Sequence, residues 1–134
     1  MESKASMPTQ RVLIVEDDET IREVMRMILE DANYVVEDTA EGVAALAHLR
    51  ASSDRMIVVT DLLMPGMGGE ELLRVVVAEA DLAARHAYLM VAAKSALPPA
   101  VASLLDQLHA SYVHKPFSID ELLAAVGDAE ARLA

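Results

Sequence analysis

The 134-residue chain contains no cysteine, which excludes disulfide scaffolds, thiol catalysis and Cys-ligated zinc. No apolar run approaches the roughly 20 residues needed to cross a bilayer, so no membrane span is expected. Met1 to Gln10 carry neither the apolar stretch nor the small-residue cleavage site of a secretory signal. They read as a short mobile tail ahead of one domain over residues 11–134, and a cytoplasmic location is expected. Basic residues are also scarce: 11 Lys and Arg face 22 Asp and Glu, a formal net charge of -11. Nucleic-acid readers need a basic footprint, so this balance argues against direct nucleic-acid binding. An acidic surface suits basic protein partners or hard cations such as magnesium, and plain solubility explains it equally well. The chain shows no internal repeat and no low-complexity tract.

What is present is a globular composition, 54% hydrophobic and 25% charged, in a length that fits one domain, and no output domain is expected. Apolar periodicity predicts a strand at Arg11–Val15, then a helix with Ile21, Val24, Met25, Ile28 and Leu29 on one face. A second strand follows at Tyr34–Asp38 and a second helix at Glu41–Arg50. Met56–Thr60 is apolar almost throughout, as in a parallel strand buried on both faces. After a loop over Asp61–Gly69 come a helix from about Glu70 to Ala80, a strand at Tyr88–Ala92, a fourth helix opened by Pro98 and Pro99, and a strand at Ser111–His114. Ser118 and Glu121 form a capping-box pattern that starts a last helix with Ile119, Leu122, Leu123 and Val126 inward. Five such strand-helix units imply an open, doubly wound parallel sheet with five helices in three α/β/α layers.

In such sheets chemistry gathers outside the carboxyl ends of the strands. Glu16-Asp17-Asp18-Glu19 directly follows the first strand and Asp61 the third, so their carboxylates should converge. Carboxylates held that close raise one another's pKa unless a cation neutralises them, and an all-oxygen ligand set suits Mg²⁺. Helix capping is the alternative role for Asp17 and Asp18. Lys115, one of three lysines, ends the fifth strand and can project an ammonium over the same edge. The Lys115–Pro116 bond is a candidate cis peptide.

Taken together, Val12–Glu19, Val59–Gly69 and Tyr112–Phe117 resemble the three signature regions of response-regulator receiver domains, from about Arg11 to the C-terminus. The resemblance implies a flavodoxin-like sheet of order 2-1-3-4-5. It implies that Asp61 accepts a phosphoryl group from the phosphohistidine of a histidine kinase or phosphotransfer protein. It further implies Mg²⁺ held by Asp17 directly, by Glu16 directly or through water, by Asp61 and by the Leu63 carbonyl, with Lys115 on the phosphate. Such a protein catalyses only its own phosphorylation and slow dephosphorylation, and signals by contact with a downstream protein; a homodimer is left open. A hydrolase working through an aspartyl phosphate would want a second carboxylate two residues after the nucleophile, where Leu63 stands.

The match departs from the family chiefly at the end of the fourth strand. The Thr or Ser that normally ends the fourth strand is replaced by Ala92, and Ser95 is the nearest hydroxyl. Tyr112 occupies the aromatic switch position, so it is expected to turn inward without phosphate and to be partly uncoupled from phosphorylation. A phosphorylation-independent interaction module is therefore the rival function. The segment Leu108–Ser111 lacks the Gly that customarily ends the fourth helix. The third helix is broadly apolar, with Val76 or Val77 expected to be exposed for binding. His48, His86, His109 and His114 show no metal-ligand spacing and read as surface or strand-end residues.

Overall fold

The computed structural model describes residues 10–93 and 97–133; residues 1–9 of the expected N-terminal tail, Lys94 and Ser95 lie outside them. Five strands, β1 (Arg11–Val15), β2 (Val35–Thr39), β3 (Met56–Asp61), β4 (Ala87–Ala92) and β5 (Ser111–His114), form one sheet of order β2-β1-β3-β4-β5. Every pairing is parallel, as the continuous apolar strands require. Alternating side chains of β3 feed two cores. Met56 and Val58 pack on one face, and Ile57 and Val59 on the other.

Six helices cover the sheet among the described residues: α1 (Glu19–Asp31), α2 (Gly42–Ala51), α3 (Gly69–Ala78), α4 (Ala80–Arg85), α5 (Pro99–Gln107) and α6 (Ile119–Leu133). α1 and α6 supply Met25, Leu29, Leu122 and Val126 to one core, whereas α2, α3, α4 and α5 supply the other. The expected third helix is two short ones. Its backbone turns extended at Glu79, just after the β-branched run Val75-Val76-Val77, and Arg50 of α2 pairs with the Glu79 carboxylate.

This extra helix explains one correction. α3 is flanked by α2, α4 and α5, so its broad apolar face is covered. Val76 is fully buried and Val77 half-buried, where one of them was expected to be exposed. Two other residues face the other way from their expected orientation: Val24 is 45% and Ile119 58% exposed. The capping box does place the start of α6 correctly, since Glu121 N–H donates to Ser118 Oγ and Ser118 N–H to Glu121 Oε1. Ile119 is the first residue of α6 and is left uncovered.

The glycine missing after α5 is replaced by His109, whose φ of 55° places it in the left-handed region. Its N–H donates to Asp106 O and that of Ala110 to Leu105 O, closing the helix without glycine. His86 is not a surface residue. It is 4% exposed at the entry to β4, and its Nδ1 accepts the Met56 N–H at 3.0 Å.

Candidate functional site

The register delivers the site. Val15 pairs with Thr60 across β1 and β3, so the next residues, Glu16 and Asp61, leave the sheet side by side. β1 has β2 on its other flank, making this the place where strand order reverses. Glu16, Asp17 and Asp61 each offer a carboxylate oxygen within 4.8 Å of the others, as the sequence spacing predicts. Asp18 takes the alternative role instead, capping α1 by accepting the Ile21 N–H at 3.0 Å.

Lys115 Nζ lies 3.0 Å from Glu16 Oε1 and 3.3 Å from Asp61 Oδ2. The Lys115–Pro116 peptide is cis, as expected. Asp61 Oδ1 accepts the Leu62 N–H at 2.8 Å, and the second Glu16 oxygen accepts the Asp18 N–H at 3.2 Å. Glu16 is 1% exposed. Burial pushes its pKa above the ordinary carboxylate value, and the Asp61 charge adds to this against the opposing bond from Lys115. Burial pulls Lys115 down, but its bond to Glu16 and the charges of Asp61 and Glu16 outweigh that and raise it overall. Three carboxylates facing one ammonium leave an excess of two negative charges. An all-oxygen cluster of this charge fits a hard dication such as Mg²⁺.

The loop after β3 is shaped by close approach. A Cβ on Gly69 would lie 2.2 Å from the Asp61 carbonyl oxygen, so glycine lets α3 start directly against the Asp61 backbone. Gly66 adopts φ +73°. Leu63 is 78% exposed at the mouth of the site.

Ala92 is buried at the end of β4, and its carbonyl accepts both the Lys115 N–H at 2.8 Å and the Tyr112 hydroxyl at 3.4 Å. The half-buried Tyr112 ring packs on the core beneath α5 and meets His114 edge-on.

One participant has no signal in the motifs. Arg22, at the end of the first turn of α1, donates from Nη1 to the Glu16 carbonyl at 2.8 Å, and its Nε lies 3.4 Å from Asp38 at the end of β2. Only the juxtaposition of α1 with β2 reveals it.

Among the described residues, no helix is long and apolar enough to cross a membrane. A family model described as the response regulator receiver domain matches residues 12–127. Among curated proteins, the C4-dicarboxylate transport transcriptional regulatory protein DctD of Rhizobium meliloti is 33% identical over 122 residues, 90% of this chain and 25% of that protein. Response regulator MprA of a Mycobacterium species is 36% identical over 114 residues, 85% of this chain and 47% of that protein. The chain thus spans half or less of the length of these relatives. Among solved structures, chemotaxis protein CheY4 of Vibrio cholerae superposes with a TM-score of 0.77 at 27% identity, covering 91% of this chain and 99% of that one. A CheY-like receiver domain protein from Methanospirillum hungatei gives 0.77 at 26% identity, covering 92% and 96%. With the model match spanning nearly the whole sheet and each signature region placed at its carboxyl edge, the chain belongs to the response regulator receiver domain family.

Proposed function

We propose that the chain accepts a phosphoryl group on Asp61 from the phosphohistidine of a histidine kinase or phosphotransfer protein, in a Mg²⁺-dependent reaction. It then signals by protein-protein contact. The observation that carries this is the convergence of Glu16, Asp17 and Asp61 within 4.8 Å, with Lys115 Nζ 3.3 Å from Asp61 Oδ2. An Asp61 carboxylate oxygen attacks phosphorus, the phosphorus–nitrogen bond to the donor imidazole breaks with its electrons leaving on nitrogen, and an acyl phosphate forms. Glu16, Asp17, Asp61 and the Leu63 carbonyl would hold Mg²⁺, which when bound supplies neutralisation of the phosphoryl oxygens. Lys115 is released from Asp61 to a phosphoryl oxygen as that carboxylate becomes an ester-like anhydride.

Partner contact is supported by exposed apolar surface on the two helices that flank one face of the sheet. Val24 and Met27 on the helix that follows β1, and Ile119 at the start of the helix that follows β5, are exposed. The name of DctD describes a transcriptional regulator, of which this chain matches a quarter. The -11 charge supports protein partners over nucleic acid here.

Ala92 favours a second reading, an interaction module that works without phosphate, because no hydroxyl stands there to bond a phosphoryl oxygen. The two readings are separated by incubating the protein with acetyl phosphate and MgCl₂ and weighing wild type against Asp61→Asn. Gain of one phosphoryl mass by wild type alone is expected; no Asp61-dependent gain leaves the second reading.

A further inference from the structure

We infer that Arg22 is a positioning residue that aims the metal-binding carboxylates of Glu16 and Asp17, and that Asp38 holds Arg22 in place for this task. The inference rests on the proposed Mg²⁺-dependent site and assigns it a part drawn from a different strand.

The Glu16 carbonyl belongs to the peptide that joins Glu16 to Asp17, the two consecutive ligands. A peptide is planar, so fixing the direction of its oxygen fixes rotation about the Cα–C bond of Glu16 and the N–Cα bond of Asp17 together. Those rotations decide where both carboxylates point. Arg22 Nη1 reaches that oxygen at 2.8 Å, and the N–H of Glu16 is held from the other side by Thr39 O at 3.0 Å. The loop is therefore gripped before and after Glu16, once from α1 and once from β2.

The grip has its own support. Arg22 Nε lies 3.4 Å from Asp38 Oδ1, and the other Asp38 oxygen pairs with Arg26, which also bonds Glu30 at 3.0 Å. Both Arg22 and Asp38 side chains are mostly covered, at 20% and 26% exposure. A guanidinium suits the post because its rigid fork can serve the loop carbonyl and the Asp38 carboxylate at once, whereas a lysine ammonium is a single point.

A structural ion pair and a positioning residue make opposite predictions. Arg22 carries positive charge near a cation site, so if charge were its only influence, removing it would tighten Mg²⁺ binding. If it aims the ligands, removing it weakens binding, and partners that orient metal ligands typically matter by 10- to 100-fold.

The experiment titrates MgCl₂ calorimetrically into the full chain. For Arg22→Met, which keeps the aliphatic stem, the Kd should rise about tenfold, with Arg22→Lys falling between it and wild type. Asp38→Asn should raise the Kd less, and should add nothing when combined with Arg22→Met. With acetyl phosphate, the Mg²⁺ concentration for half-maximal phosphorylation should rise while the rate at saturating Mg²⁺ stays near that of wild type. In metal-free protein, the Glu16 and Asp18 amides should exchange faster. Unchanged or tighter Mg²⁺ binding by folded Arg22→Met overturns the inference, and if that variant does not fold, wild-type affinity in Arg22→Lys does so. Absence of Mg²⁺ binding by wild type overturns the proposed function and this inference together; equal binding by wild type and variants overturns this one alone.

Discussion

The ammonium of Lys115 lies 3.0 Å from a carboxylate oxygen of the buried Glu16 and 3.3 Å from one of Asp61, so this cation pairs with two of the three clustered carboxylates. It therefore has two effects of opposite sign. It competes with Mg²⁺ for Glu16 and Asp61, yet it assists the reaction by meeting a phosphoryl oxygen. A hydrogen bond to a charged group is worth about 1.5–3 kcal/mol, or about 10- to 100-fold in rate. Lys115→Met should slow acetyl phosphate-dependent labelling by about that factor while binding Mg²⁺ at least as tightly as wild type. Rapid-quench labelling and calorimetry on the same variant check both halves. Weaker Mg²⁺ binding would refute the competition.

Glu16 sets the pH dependence of the metal site. Its folded pKa is raised above 4.5, chiefly by burial and then by the Asp61 charge, against the Lys115 bond. A group raised in this way contributes stability that is fully present below its unfolded value and is lost as pH rises through its folded value. Above that folded value the buried charge destabilises the protein, and Mg²⁺ should restore stability by binding the native state. Mg²⁺ affinity should fall as pH is lowered through the raised value, because a protonated Glu16 is no ligand. Glu16→Gln should raise the metal-free Tm at pH 7 and lose most of the Mg²⁺-dependent gain. Thermal melts with and without MgCl₂ across pH 4.5–8 test this.

Gly69 and Gly127 should respond to alanine in opposite ways. At Gly69 the new Cβ would sit 2.2 Å from Asp61 O and 3.0 Å from Leu62 Cα, both backbone atoms that cannot swing aside. Relief requires moving Asp61 or the start of α3, at a cost of about 1–3 kcal/mol. At Gly127, in α6, an added Cβ meets nothing within 4 Å, so alanine should stabilise by about 0.4–1 kcal/mol. Urea midpoints measure both, and only Gly69→Ala should also impair labelling of Asp61.

These cases show what the sequence makes legible. Strand signals such as Met56–Thr60 are local, and motif spacing places Glu16, Asp17, Asp61 and Lys115 on one edge because parallel topology leaves few alternatives. The orientation of Ile119, the covering of Val76 and the bond from Arg22 to Glu16 depend on which element lies alongside, and no local pattern carries that. The capping box marks where α6 begins without showing that Ile119 in its first turn is left exposed.

His86 illustrates a buried titratable group far from the chemistry. Its Nδ1 accepts the Met56 N–H, so the neutral ring carries its proton on Nε2, which is buried without a partner. Burial first, then the charge of Arg85, lowers its pKa below 6.5. The unfolded chain then binds this proton more readily than the folded one, so stability falls as pH drops from about 6.5 towards the folded value and levels off below it. Protonation would also replace the acceptor with a donor facing Met56 N–H. His86→Phe should lose that bond, at a cost of about 1–3 kcal/mol at pH 7 for the stranded N–H. It should also flatten the acid limb below about pH 6.5. An unchanged slope in the variant would remove His86 from the acid response.

The switch is where chemistry and output part. The Tyr112 hydroxyl lies 3.4 Å from the Ala92 carbonyl and its ring already packs on the core. A modification shifts a conformational equilibrium only through contacts that differ between the two states. With a methyl group at Ala92, a phosphoryl oxygen gains no hydroxyl from the end of β4 and so has little purchase on the path to Tyr112. Beryllofluoride with Mg²⁺ should therefore change the Tyr112 ring resonances only slightly in wild type. Ala92→Thr should make the same addition produce a clear change, because the new hydroxyl would bond the phosphoryl mimic and vacate space beside the ring. A hydrogen bond to a charged group, about 1.5–3 kcal/mol, is enough to shift a two-state ratio by about 10- to 100-fold. A full outward-to-inward change in wild type would show that coupling reaches Tyr112 by another route, and the partner would then read the phosphorylated state directly from β5.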